Sequence, residues 1–189
     1  MKRRPPSRRR RIVLLLLSFV LGHVLSWAAY AFDSAPFHPP VDGVSPARIP
    51  RSFGAPRDGR RSRHQGIDIL APRGTPVRSA AWGVVLSIEK QRRGGNVVFV
   101  AGRGALLFFY AHLNGYAPGL HVGQVVSKGT LLGYVGDSGN ANGVPHLHFE
   151  ARPAATLFSP IDPLLLLGPR RAAPPERILA ALATIADPR

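Results

Sequence analysis

Histidine and carboxylate side chains that could bind a metal ion lie in two short motifs far apart in the chain. The first motif is His64-Gln65-Gly66-Ile67-Asp68, the second is His146-Leu147-His148-Phe149-Glu150, and the segment Tyr110-Ala111-His112-Leu113 lies between them. Histidine and carboxylate groups bind zinc in catalytic sites, where three protein ligands leave a fourth position for water. Because the chain has no cysteine, any zinc must be held by His, Asp or Glu. These motifs predict a metal site and an enzyme.

The second motif indicates a β-strand with two different faces. Residues two apart on a strand point to the same side, so His146 and His148 should project together. Leu147 and Phe149 would then turn toward a core. The sequence allows two orientations for the side chain of Glu150. It could accept a hydrogen bond from a ligand imidazole on the side away from the metal, or it could face solvent.

The first motif cannot bind one metal ion as a straight strand. Fully extended, it would place the alpha carbons of His64 and Asp68 roughly 13 Å apart. Gly66 and the alternation Ile67-Asp68-Ile69 argue against a helix. We therefore predict a turn or bulge near Gly66, because glycine tolerates the backbone conformations that such kinks require. Asp68 would then face the metal from the next strand.

The segment 51–167 predicts one all-β domain, an antiparallel sheet or sandwich core rich in hairpins. Short apolar runs, rich in β-branched and aromatic residues, alternate with glycine turns, which is typical of such structure. The runs are Val84–Ile88, Asn96–Val100, Leu106–Tyr110, Gln124–Val126, Thr130–Val135 and His146–Ala151. The similarity of Gly74-Thr75-Pro76-Val77 to Gly129-Thr130-Leu131-Leu132 suggests two related β units.

The two ends of the chain differ from this core. Residues 1–31 combine a basic start, an apolar centre and Ala29-Tyr30-Ala31, which predicts a leader helix that is either a cleaved signal peptide or a signal anchor. As an anchor, residues 12–32 would tether the protein to the inner membrane, since they reach the length of about 20 residues that spans a bilayer. Residues 32–50 predict a proline-rich linker or strap. Residues 168–189 predict a hinge and a short amphipathic helix.

The positive charge of the chain does not indicate a nucleic-acid partner. The formal charge is +15, but residues 1–31 carry seven basic residues and no acidic one, which leaves +8 on the remainder. No helix-turn-helix, zinc-finger or aromatic RNA-binding pattern accompanies the charge. A solvated basic surface, or attraction to anionic groups of a substrate, explains it instead. The arginines at 57, 60, 61 and 63 could meet such groups at the rim of a cleft or form a solvated loop.

The ordered set of motifs from about Phe53 to Glu150 resembles the lysostaphin/LytM-type zinc peptidases, which cut peptide bonds in bacterial cell walls. The matching pieces are Phe53-Gly54, His64-Gln65-Gly66-Ile67-Asp68-Ile69, Gly74-Thr75-Pro76-Val77, Gly83-Val84-Val85, Tyr110-Ala111-His112-Leu113, Val122-Gly123, Val126-Ser127-Lys128-Gly129, Leu132-Gly133, Ser138-Gly139-Asn140 and Pro145-His146-Leu147-His148-Phe149-Glu150. The loop 141–145 is one residue longer than the commonest family form, which concerns the shape of that loop rather than the ligands.

This resemblance implies roles for five residues. It makes His64, Asp68 and His148 the zinc ligands, and His112 and His146 the catalytic histidines beside the metal-bound water. His146 would act as general base, while His112 would stabilise the oxyanion or share the duty of the base. The implied substrate is the peptide part of peptidoglycan, either stem peptides or cross-bridges, and the implied location is the bacterial cell envelope after export.

Two other functions fit parts of the same sequence. A non-catalytic relative that binds peptidoglycan or activates a hydrolase would lack some of the five residues, and all five are present. A biotinyl or lipoyl carrier domain would share the pattern from Val122 to Gly133, but it needs an exposed lysine at a hairpin tip. Lys128 instead precedes a glycine in the turn before a strand. His38 and His121 belong to no motif and are predicted to lie at the surface, and Tyr110 is predicted either to pack or to reach the site.

Overall fold

The computed structural model describes residues 37–57, 59, 61–156 and 159–167 of the 189-residue chain. Ten strands lie in these ranges, and every strand pair is antiparallel. They are β1 (Pro56–Arg57), β2 (Ser62–Arg63), β3 (Ile67–Leu70), β4 (Pro76–Arg78), β5 (Gly83–Gln91), β6 (Gly95–Gly102), β7 (Leu106–Tyr116), β8 (Val125–Val126), β9 (Leu131–Val135) and β10 (His146–Pro153). The prediction of an antiparallel all-β core is confirmed, although several strands extend beyond the predicted runs.

Strand β7 organises the larger of the two sheets. Eight strands form this sheet, in the order β3-β10-β7-β6-β5-β8, with β9 pairing both β7 and β4. The first half of β7 pairs with β10 up to Ala111, and its second half pairs with β9 from Leu113 onward. The remaining strands, β1 and β2, form a separate hairpin. The change of partner on β7 therefore occurs at His112.

The backbone at His112 is a bulge in a left-handed conformation. Its φ is 63°, which is uncommon for a residue other than glycine. On the other side of β7, the pairing with β6 shifts register between Asn96 and Val98, so that the extra residue of β7 is accommodated there. A residue held in this sparsely populated region needs surrounding structure to keep it there, and such residues concentrate at functional sites.

One face of the large sheet covers the main core. Leu147 and Phe149 of β10 and Ile67 and Ile69 of β3 are fully buried in this core, as the alternation of their motifs predicts. Their neighbours His148 and Asp68 lie directly opposite each other in the pairing of β10 with β3. The alternation thus sends the apolar side chains to the core and the candidate ligands to the other face.

The described part of the proline-rich segment packs along the domain. Val41 and Ile49 are 2% and 6% exposed and belong to the main core. Val41 also forms a β-bridge with Val77, and a 3₁₀ turn follows at Pro46–Arg48. Residues 37–50 therefore form a strap on the domain.

The two similar sequence segments form equivalent structures that pair with each other. Both begin with a turn in which a glycine, Gly74 or Gly129, has a φ of 86°, a conformation open mainly to glycine. The strands that follow, β4 and β9, are paired. Gly74 donates to the carbonyl of Val135 at the end of β9, and Gly129 donates to that of Ser79 just beyond β4. The arrangement is that of two related β units.

The predicted leader helix and the predicted C-terminal helix lie outside the described residues. At the end of the described part, helix α1 (Leu164–Leu167) buries Leu167 in the main core and leaves Leu165 exposed. Within the described ranges, no helix has the length and apolar character needed to cross a bilayer.

Candidate metal centre

Three predicted metal ligands converge on a common point. His64 Nε2 lies 3.0 Å from His148 Nδ1 and 3.1 Å from Asp68 Oδ1, and His148 Nδ1 lies 2.9 Å from the same oxygen. Zinc bound tetrahedrally with ligand bonds of 2.0–2.1 Å holds its ligand atoms about 3.3 Å apart. A small outward movement of each side chain therefore accommodates the ion, and the residues fit zinc.

The chain brings His64 and Asp68 together by a bend at Gly66, as predicted, but the reason for the glycine differs from the prediction. Gly66 is not among the residues with positive φ. A Cβ atom at this position would instead lie 2.4 Å from the carbonyl oxygen of Phe149 and 2.8 Å from Cγ of Glu150. The bend packs directly against β10, so glycine is needed because of this close approach.

Ser52 supports two of the candidate ligands at once. Its carbonyl accepts a hydrogen bond of 2.8 Å from Nδ1 of His64, which leaves Nε2 of that ring with a lone pair facing Asp68 and His148. Its hydroxyl accepts a hydrogen bond from the backbone N–H of Asp68. No motif of the sequence predicts this role, because Ser52 lies 12 and 16 residues from its partners.

Glu150 and Arg152 support His148 from behind. Glu150 is 5% exposed, and its Oε1 lies 2.9 Å from His148 Nε2. The carboxylate also accepts from Arg152 Nε at 2.6 Å, and Arg152 donates to Gln65. A carboxylate in this position fixes which ring nitrogen is free and makes that nitrogen a better ligand. Of the two orientations that the sequence allows for Glu150, the structure therefore shows the one in which it supports the imidazole of His148.

The two predicted catalytic histidines lie beside this cluster. His146 Nε2 is 3.8 Å from Asp68 Oδ1, and the ring of His112 is 4.7 Å from that of His146 and 5.9 Å from that of His148, measured between centroids. Nδ1 of His112 donates to the carbonyl of Ser138, and Nδ1 of His146 donates to that of Val144. Each ring therefore keeps its Nε2 lone pair available as a proton acceptor.

The electrostatics of the cluster favour a cation. Burial raises the pKa of Asp68, but the interactions of its carboxylate with His148 and His64 outweigh this and hold that pKa well below its usual value. Burial lowers the pKa of His148, but Asp68 and Glu150 outweigh it and raise that pKa. Both shifts reflect the attraction of the carboxylates for positive charge at this point. Burial also lowers the pKa of His112 from 6.5 to about 4, so this ring is neutral at neutral pH.

An open cleft gives access to the cluster. Its volume is about 1080 Å³, at the upper end of the range of pockets for small ligands, so it admits an extended peptide. Apolar side chains line part of it, together with arginines from the hairpin. The lining includes Phe53, Leu70, Phe109, Val144, Arg57 and Arg63. Arg57 bonds to Asp68, and Arg63 bonds to the carbonyl of Gly54, so neither side chain belongs to a merely solvated loop.

Three other residues considered in the sequence lie away from the cluster. Tyr110 is fully buried in the main core, where its hydroxyl accepts from the N–H of Ala80, so it packs rather than reaching the site. His121 is exposed, as predicted, and its ring donates to the carbonyl of Gly119. His38 is half-buried and donates to the carbonyl of Pro39. Arg152 was not predicted, although its alternation with His148 and Glu150 along one strand is a usable signal.

Comparison with known proteins finds relatives that are named as endopeptidases. The chain is 38% identical over 97 residues to the L-Ala--D-Glu endopeptidase of Bacillus subtilis, covering 48% of this chain and 30% of the relative. It is 34% identical over 95 residues to the peptidoglycan DD-endopeptidase ShyC of Vibrio cholerae, covering 50% of this chain and 21% of the relative. The chain thus spans less than a third of the length of either relative.

Solved structures and a family model agree with these relatives. A zinc-containing peptidase from Vibrio cholerae superimposes with a TM-score of 0.58 at 30% identity, over 69% of this chain and 40% of that one. Lysostaphin from Staphylococcus simulans gives a TM-score of 0.56 at 26% identity, over 66% and 52% of the two chains. The model of peptidase family M23 matches residues 62–163, which is more than half of the chain and includes His64, Asp68, His112, His146 and His148. The chain belongs to peptidase family M23, the family of the lysostaphin/LytM-type zinc peptidases.

Proposed function

We propose that this protein is a zinc-dependent endopeptidase that hydrolyses peptide bonds in bacterial peptidoglycan. The observation that carries the proposal is the convergence of three donor atoms, on His64, Asp68 and His148, to within 3.1 Å of one another beside two further imidazoles. Membership of family M23 and the names of the relatives support it.

In this proposal the metal ligands are His64 Nε2, Asp68 Oδ1 and His148 Nδ1. Zinc held there would lower the pKa of a water molecule to about 7 and polarise the carbonyl of the substrate. Ser52 and Glu150 each accept the N–H of one ligand imidazole, and this keeps the other nitrogen of each ring directed at the metal position. The carboxylate of Asp68 stays ionised because its pKa is lowered.

We assign the general base to His146 and the orientation of the attacking water to His112. Both rings have their Nδ1–H bonded to a backbone carbonyl, so both offer a lone pair at Nε2. With a pKa of about 4, His112 is a weak base at neutral pH, but it can accept a hydrogen bond from water. In its neutral form it has no free N–H for an oxyanion, which argues against the role in oxyanion stabilisation that the sequence suggested. Protonated His146 can then return the proton to the leaving amine.

We propose stem peptides or cross-bridges of peptidoglycan as the substrate and the cell envelope as the location. The relatives are named for hydrolysis of an L-Ala–D-Glu bond or as DD-endopeptidases, and the open cleft admits an extended peptide. One further relative, from Escherichia coli, is named as a lipoprotein. Export through the leader at residues 1–31, with or without a tether through residues 12–32, would bring the enzyme to this substrate. The domain limits of 51 and 167 belong to the same proposal.

A digest of purified peptidoglycan tests the proposal. Zinc-loaded protein should release new amine groups, detected chemically and identified by mass spectrometry of the products, and a chelator should stop the release. His148→Ala should abolish it, whereas His121→Ala, which changes an exposed histidine away from the cluster, should not. Amine release that persists in His148→Ala would refute the enzymatic proposal. Binding to peptidoglycan without release by the zinc-loaded wild type would instead indicate a non-catalytic binding or activating protein.

A further inference from the structure

The hairpin of β1 and β2 is joined directly to one of the candidate ligands. Pro56 pairs with Arg63 and Arg57 pairs with Ser62 in the hairpin. The ladder continues beyond it, because the N–H of His64 donates to the carbonyl of Ala55 at 2.9 Å. Arg57 and His64 are therefore held by one continuous piece of antiparallel backbone.

The side chains of His64 and Arg57, both on this piece of backbone, contact different oxygens of Asp68. His64 Nε2 lies 3.1 Å from Oδ1, the oxygen that also faces His148, and Arg57 Nη2 donates to Oδ2 at 2.5 Å. A guanidinium–carboxylate hydrogen bond is charge-assisted and directional. With Oδ2 bound to Arg57, Oδ1 alone is directed at the metal position.

We propose that Arg57 is a positioning residue that makes Asp68 a one-oxygen ligand and keeps one coordination position open for the reactants. The inference rests on the proposed zinc centre. Carboxylates bind metal ions through either one or two oxygens, and a catalytic zinc site needs a position without a protein ligand. Without Arg57 the carboxylate of Asp68 is free to rotate, and its second oxygen can reach the ion and occupy that position.

The location of Arg57 separates this role from a contribution to folding. Its side chain is 47% exposed, and surface ion pairs contribute little to stability. Loss of the guanidinium should therefore leave the fold intact and change the metal centre. Arg63 is a matched control, because it lies on the paired strand of the same hairpin and bonds to the backbone carbonyl of Gly54.

The test compares the full-length wild type with Arg57→Gln, Arg57→Lys and Arg63→Gln by two measurements that do not depend on activity. Competition with a chromophoric chelator gives the zinc Kd, which should fall about tenfold in Arg57→Gln, because a second carboxylate oxygen binds the ion and a nearby positive charge is lost. The Kd should stay within about threefold of wild type in Arg63→Gln. Arg57→Lys should lie between them, because lysine is a point charge without the planar fork of arginine. The visible spectrum of the cobalt-substituted proteins should lose intensity in Arg57→Gln, less so in Arg57→Lys and not in Arg63→Gln, since a fifth ligand weakens the bands of tetrahedral cobalt.

Each result decides the proposal. Equal zinc Kd values and equal cobalt spectra in Arg57→Gln and wild type overturn it, and so does a zinc Kd that is higher in Arg57→Gln than in wild type. Equal changes in Arg57→Gln and Arg63→Gln also overturn it, because they would indicate a general effect of the hairpin. Failure of the wild type to bind zinc refutes the proposed metal centre instead. If circular dichroism shows that Arg57→Gln does not fold, the same two measurements on Arg57→Lys decide: wild-type values overturn the inference, and a lower zinc Kd with a cobalt spectrum of reduced intensity supports it.

Discussion

Acid should destabilise the metal-free protein through His112, and Asn at this position should remove the effect. Burial lowers the pKa of His112 from 6.5 to about 4, so between these values the unfolded chain binds a proton that the native protein does not. The free energy of unfolding then falls as the pH falls through this window, because stability rises with pH wherever the unfolded state binds more protons. Between about pH 7.5 and about pH 5 the loss due to this one side chain is about 2 kcal/mol.

The measurement is urea unfolding of wild type and His112→Asn in a chelator at these two pH values. Asparagine suits the comparison because it tolerates the left-handed backbone of this position, where φ is 63°. The raised pKa of His148 acts in the opposite direction, but it is common to both proteins and cancels when they are compared. The stability of wild type relative to His112→Asn should fall by about 2 kcal/mol on acidification. If the free energies of unfolding of wild type and His112→Asn differ by the same amount at both pH values, the reasoning is refuted. It is also refuted if wild type becomes more stable relative to His112→Asn at acid pH, because the effect would then have the opposite sign.

Two other substitutions test the packing and the support of the site. Glu150→Gln keeps an acceptor for His148 but removes the negative charge, so the zinc Kd measured by chelator competition should rise about tenfold; an unchanged Kd would contradict the supporting role. Gly66→Ala places a carbon 2.4 Å from the carbonyl oxygen of Phe149 and should lower the free energy of unfolding by about 1–3 kcal/mol. Gly115→Ala, where the added carbon meets nothing within 4 Å, is the control and should change it by no more than about 0.5 kcal/mol.

The strand that carries the second motif was predictable because its signal is local. Alternation alone places His146 and His148 on one face and Leu147 and Phe149 in the core, and the structure has this arrangement. The bend between His64 and Asp68 was predictable, because the two side chains cannot meet if the backbone between them is straight. The reason why position 66 requires glycine was not predictable, because it is the close approach of Phe149, which is 83 residues further along the chain.

The parts of the site that the sequence did not predict depend on contacts across long sequence separations. Ser52 supports two candidate ligands through hydrogen bonds, and no motif around this loop serine predicts them. The bulge at His112 lies where the pairing partner of β7 changes from β10 to β9. The sequence around His112 has the pattern of an ordinary strand and does not indicate this change. The bond from Arg57 to Asp68 depends on the register of a hairpin of two-residue strands, which is too short to give a periodic pattern.

Anomalous X-ray scattering at the zinc absorption edge, from crystals grown with zinc, tests the central claim most directly. We expect one strong peak from an ion bound to His64 Nε2, Asp68 Oδ1 and His148 Nδ1, with bonds of about 2.0–2.2 Å and at least one position without a protein ligand. The absence of a peak at this cluster, or an ion that omits any of these three atoms, would contradict the account.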